Sequence, residues 1–165
     1  RYGDAPYLAR MWARPDEKGA FRMPVDDRLA PVLWIQTQNA GSRLIKVTPE
    51  TLGEGLTIRL QACRVTGQAT VDEQVAGEKR LGLVWTPEAF PRLPVAACPI
   101  DGGRYEVQLE PGRYACYLAR GGGEVIRLDD VVIADEPEKQ LPPITLTQER
   151  WDADKRPMAD HLDRF

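Results

Sequence analysis

The side chains best suited to chemistry are few: three cysteines, one histidine, four tryptophans and several close pairs of acids. Cys63, Cys98 and Cys116 are widely spaced with no Cys-x-x-Cys, so neither a zinc knuckle nor a paired redox centre is available. Three thiols leave at least one unpaired within the chain; one disulfide in an exported protein or three buried strand thiols fit the count, and the second is the plainer reading. The single histidine, His161, lies in a charged C-terminal stretch and reads as a solvated residue. Asp26/Asp27, Asp129/Asp130 and Asp152/Asp154 are close enough in sequence to test as acid–base pairs for glycoside hydrolysis. Adjacent strand residues face opposite ways, however, and no Asp-x-Asp-x-Asp-Gly loop is present, so turn and edge solubility is their expected role rather than catalysis or calcium binding. Indole faces can stack on sugars. Trp85 follows Leu81 and Leu83 at period two and should be core, and Trp34 sits in the apolar run "VLWI", which implies burial on both faces. Trp12 and Trp151 remain as candidate contacts for a ligand or partner.

The elements that would carry these residues are strands. Fourteen glycines and fourteen prolines punctuate short runs rich in Val, Ile, Leu, Tyr and Arg, the texture of an all-β domain. Strands are predicted near 56–69, 80–86, 95–99, 104–109, 113–119, 124–132 and 144–148, which is enough for one seven-stranded β-sandwich. In "DGGRYEVQLEPGRYACYL", residues 101–118, Tyr105, Val107 and Leu109 share one face. Pro111 and Gly112 predict a type II hairpin turn that brings Tyr114, Cys116 and Leu118 back to the same side.

A weak internal repeat accompanies this pattern. "GAFRMPVD" from 19 matches "GRYEVQLE" from 103, "GSRLIKV" from 41 matches "GGEVIRL" from 122, and Ile58-Arg59-Leu60 matches Ile144-Thr145-Leu146, offsets of 84, 81 and 86 residues. A period of one small sandwich implies tandem modules. The predicted organisation is therefore a trailing half-module over 1–55, a complete module over 56–148 and a tail or linker over 149–165. In the tail, Pro157 could open a short helix with Met158, Leu162 and Phe165 on one stripe. The half-module cannot bury Phe21, Met23, Val25, Leu33 and Ile35 alone, so it needs the second module, residues 1–18 or another chain as cover.

"GQATVDEQVAGEKRLGLVW", "DGGRYEVQLEPGRYACYLARGGG" and "VVIADEPEKQLPPITL" resemble the carboxypeptidase regulatory-like domains, which are transthyretin- or prealbumin-like sandwiches close in architecture to Cna-B repeats. Gly67, Asp101, Gly103, Tyr105, Pro111, Gly112, Tyr114, Gly122 and Leu146 occupy the places of that pattern. The resemblance implies a seven-stranded antiparallel Greek-key sandwich, preceded here by a partial copy in which Asp26 to Pro31 replaces the tight turn. Enzymes of related fold place iron on two histidines and two tyrosines, or use several histidines; one histidine serves neither. A Lys–Asn isopeptide cross-link would have to use Asn39, with Lys46 nearby, but no acidic partner is evident.

A net charge of −3 with 22 scattered basic residues gives no general attraction to nucleic acid. No apolar run approaches the roughly 18–20 residues that cross a bilayer, and an N-terminus at Arg1 suggests a mature or excised piece. The resulting expectation is a non-catalytic module without cofactor or metal. It would space or dock a neighbouring domain or an identical chain in a bacterial extracytoplasmic protein, whether periplasmic, cell-surface or secreted. Carbohydrate or surface-ligand binding is the alternative.

Overall fold

A computed structural model of the chain describes residues 16–22, 32–36, 42–48, 56–77, 80–121 and 123–162. The fold is mostly β, with antiparallel pairing dominant. Strands β1 (Val32–Gln36) and β2 (Ser42–Lys46) form an antiparallel ribbon. The rest begins with β3 (Cys63–Val71), which presents Cys63, Val65, Gly67 and Ala69 to the interior by simple alternation. A single helical turn, α1 (Glu73–Ala76), leads to β4 (Leu81–Pro87) and β5 (Ala96–Pro99), then to β6 (Arg104–Leu109), β7 (Gly112–Arg120) and β8 (Glu124–Ile133). Two short strands follow, β9 (Glu138–Gln140) and β10 (Ile144–Leu146).

β6 pairs antiparallel with one edge of β3, while β9 and β10 run parallel to β3, against Arg64–Thr66 and Ala69–Val71 respectively. The larger sheet has the order β8, β7, β4, β5, all antiparallel. Buried faces of both sheets meet in one core: Val65, Tyr105 and Leu109 from the first, Trp85, Leu118 and Ile126 from the second.

The residues predicted to face inward in 101–118 do so; Tyr105, Val107, Leu109, Tyr114, Cys116 and Leu118 are all buried. The hairpin itself is not there. β6 belongs to one sheet and β7 to the other, so Glu110-Pro111-Gly112 carries the chain across the core instead of folding it back. Gly112 has φ 158°, far from the roughly +80° that a type II turn needs at that place. Alternation fixes which residues face the core, and it is identical for strands that pair and strands that cross.

Residues 56–62 form no strand, because Gln61 N–H and Arg59 C=O bond to side chains of Glu110 and Arg43 rather than to a neighbouring strand. Residues 19–22 form no strand either; Asp16 closes a turn there, accepting from the Lys18 and Ala20 N–H groups. Phe165, Met23, Val25 and the Asp26 to Pro31 loop lie outside the described residues.

The C-terminal segment is an integral part of the fold. Helix α2 (Gln148–Asp154) is capped by Thr147, whose Oγ1 accepts from Arg150 N–H at 3.3 Å, and by Asp72, whose carboxylate accepts from Gln148 N–H at 2.8 Å. It delivers Trp151 into the core. Strand β11 (Arg156–Pro157) then pairs with the start of β8, and helix α3 (Met158–His161) follows directly after Pro157. Met158 and Leu162 pack on the outer face of the larger sheet, against Ala115, Tyr117 and Val125. The predicted Met158/Leu162 stripe therefore docks, and residues 149–162 of the expected tail are part of the fold.

Candidate functional site

Most of the chemically capable side chains are used for packing. Trp85 is fully buried, as its spacing predicted. Trp151, a candidate for ligand contact, is also fully buried; its indole lies in the core beneath the Arg120 guanidinium, 5.7 Å from the ring centroid. It has no face left for a sugar, because helix α2 turns inward where a linker was expected. Trp12 lies outside the described residues. Trp34, predicted to be buried on both faces, is 38% exposed: among the described residues β1 pairs only with β2, and an apolar run does not by itself supply a second covering layer.

All three cysteines are free and buried, in β3, β5 and β7. Burial pushes each thiol above its ordinary value, so none is poised as a thiolate. His161, expected to be solvated, is half-buried with its ring 5.6 Å from Tyr117. Asp129 and Asp130 sit where β8 has an irregular register opposite Cys116; the bulge breaks alternation and leaves both exposed. Asp130 bonds Arg127 at 2.7 Å, and Asp152 bonds Lys155 at 2.8 Å, which holds the Asp152 carboxyl below its usual range. Asp26, Asp27 and Asn39 fall outside the described residues. Among those described, no cluster of three His, Cys, Asp or Glu is arranged to hold a metal, and no helix is long and apolar enough to cross a membrane.

One acid stands apart. Glu110, at the corner between β6 and β7, is 6% exposed. Its carboxylate accepts the Gln61 N–H at 2.6 Å and faces Arg43 of β2 at 3.7 Å. Its backbone carbonyl accepts the Tyr114 hydroxyl at 2.9 Å. Arg43 also donates to the Arg59 carbonyl at 3.2 Å, and the neighbouring Leu44 packs against the core. Glu110 thus ties together the ribbon, the lead-in to β3 and the sheet-crossing corner. Glu110 opens the predicted turn Glu110-Pro111-Gly112, where a glutamate carries no burial signal; the corner turns it in. The signal available was Tyr114, four residues on, whose buried hydroxyl needed a local acceptor.

An open cleft of about 440 Å³ lies at this joint, between β2, residues 59–61, the β4–β5 loop and the corner. Glu110 is among its lining residues, and Arg59, Arg113, Glu88 and Phe90 line it too.

Burial pushes the Glu110 carboxyl above its ordinary 4.5, outweighing the lowering by Gln61 N–H and Arg43. The folded chain therefore holds this proton more tightly than the unfolded chain. Its contribution to stability is full below about pH 4.5 and declines as pH rises through the raised value. Glu110→Gln keeps an oxygen for Gln61 N–H and removes the charge. Relative to the parent, its melting temperature should be higher at about pH 7 than at about pH 4; parallel profiles at both values would refute this assignment.

No family model matches the chain, and no curated protein matches it. Among solved structures, it is similar to the Bacillus anthracis TIE protein, with 15% identity and a TM-score of 0.31 over 82% of this chain and 27% of that one. The chain thus spans about a quarter of that protein's length.

Proposed function

We infer that residues 56–162 form a prealbumin-like β-sandwich of the carboxypeptidase regulatory-like type, preceded by part of a second such module. The chain acts as a non-catalytic structural unit that holds a neighbouring domain or an identical chain in a bacterial extracytoplasmic protein. The observation that carries this reading is the Glu110 joint. A buried carboxylate with one main-chain and one guanidinium partner is spent on fixing the preceding ribbon to the corner of the module, which is what a spacer needs to transmit direction across a junction.

Deletion tests the organisation. A chain lacking residues 1–54 should still unfold cooperatively in a denaturant titration, because both sheets around the core and α2 remain. Residues 1–60 alone should be unfolded or aggregated, with unpaired strand edges and an uncovered face. A soluble, folded monomer of 1–60 would overturn the tandem-module reading. The function itself is tested by small-angle scattering of the full chain joined to its natural neighbours: Arg43→Ala should broaden the distribution of end-to-end distances, and an unchanged distribution would remove the joint from that role.

A further inference from the structure

The joint does not account for everything that lines the cleft. Gln61, Glu110 and Arg43, with the Arg59 main-chain carbonyl, tie its floor, but the side chains of Arg59, Arg113, Glu88 and Phe90 take no part in that tie. Arg113 and Glu88 are 3.5 Å apart with side chains 63% and 70% exposed, a pairing that competes poorly with water. They are open to a better partner. Phe90 is half-buried and adds apolar surface beside these charges.

The geometry points to a binding site for a short oligosaccharide in this cleft. A sugar hydroxyl donates and accepts at once, so a site that recognises it uses guanidinium donors and carboxylate acceptors side by side. The cleft has that mixture. A simple anion would meet Glu88 and Glu110, a cation would meet three guanidinium groups, and a purely apolar ligand would strip water from all of them without return. A pyranose ring also carries an apolar C–H face, for which the half-buried Phe90 among the lining residues is a partner, and the volume falls within the roughly 300–1,000 Å³ of small-ligand sites. Glu88, Phe90 and Arg113 belong to the β4–β5 loop and β7, which the sheets hold in place, whereas Arg43 and Arg59 come from the ribbon and lead-in. A sugar would therefore bridge the two parts. This goes beyond the structural role and does not require it.

The full 165-residue chain would be applied to an array of neutral and uronic-acid-containing oligosaccharides, and the strongest class measured by isothermal titration. Binding should weaken at least about tenfold in Phe90→Ala and in Arg59→Ala. Arg113→Ala, at an exposed position, supplies a variant whose folding is not at issue and should weaken binding as well. Val132→Ala, an exposed apolar residue outside the cleft lining, should bind as the parent does. Retention of no glycan on the array would overturn the proposal, as would binding that survives all three cleft substitutions. Neither outcome touches the joint, which is read out by scattering and deletion.

Discussion

Gly67→Ala should be among the most destabilising single substitutions in the chain. Gly67 lies in the middle of β3, directly across from Tyr105 on β6. A Cβ built there would overlap the Tyr105 hydroxyl and ring, with Cε1 only 2.8 Å away. The ring has nowhere to go, since Tyr105 is 4% exposed and packed into the core. Overpacking a tight core costs typically about 1–3 kcal/mol and occasionally more, and here the obstructing group is a rigid ring; a loss of about 3 kcal/mol in urea titration is expected. The glycine and the tyrosine function as one cross-strand unit, the ring covering the gap that the missing side chain leaves. Tyr105→Val in the Gly67→Ala background should therefore recover part of the loss, whereas the two substitutions would simply add if they were independent. A Gly67→Ala cost below about 1 kcal/mol would show that the strand pair opens to admit a methyl group.

Truncating Tyr114 should have an effect of similar size for a different reason. Its ring fills the corner where the chain crosses between sheets, and its hydroxyl satisfies the Glu110 carbonyl at 2.9 Å. Burial raises its ionisation to about 12, so the phenol stays a donor throughout the accessible pH range. Tyr114→Ala removes a large buried aromatic, at about 3–5 kcal/mol. Tyr114→Phe removes only the hydrogen bond and leaves a carbonyl short of a partner, at about 1–2 kcal/mol. If the two variants lose the same amount, the ring contributes little and the corner is held by other contacts.

Local facing was legible in the sequence. Alternation placed Tyr105, Val107, Leu109, Leu83 and Trp85 correctly, because a strand with one face buried has no other stable register. The requirement that Tyr114 find a backbone acceptor was legible too. What alternation cannot encode is which strand lies beside which, so Glu110-Pro111-Gly112 read as a hairpin when it is a crossing. The parallel strand β9, "EKQ", carries no apolar signature at all and forms because β3 offers it an edge. Trp34 shows the converse: hydrophobicity can nominate a strand for burial but cannot provide the layer that buries it. The cleft was illegible for the same reason, since Arg43, Arg59, Glu88 and Arg113 are scattered in sequence and meet only through tertiary contacts.

β3 is made early and completed late. It takes its partners from β6, β9 and β10, the last of which ends at Leu146, and Trp151 must still arrive to fill the shared core. During synthesis, the first strand of the module therefore emerges long before the strands that cover its second edge. A nascent chain stalled at residue 135 would display Arg64–Val71 with that edge bare. Chains whose contacts span such distances fold on the millisecond-to-second scale rather than faster, and their exposed edges are open to neighbours in the meantime. For this module, export or chaperone capture before residue 151 emerges would meet an incomplete sheet, and the interval between translation of β3 and of α2 sets how long that hazard lasts.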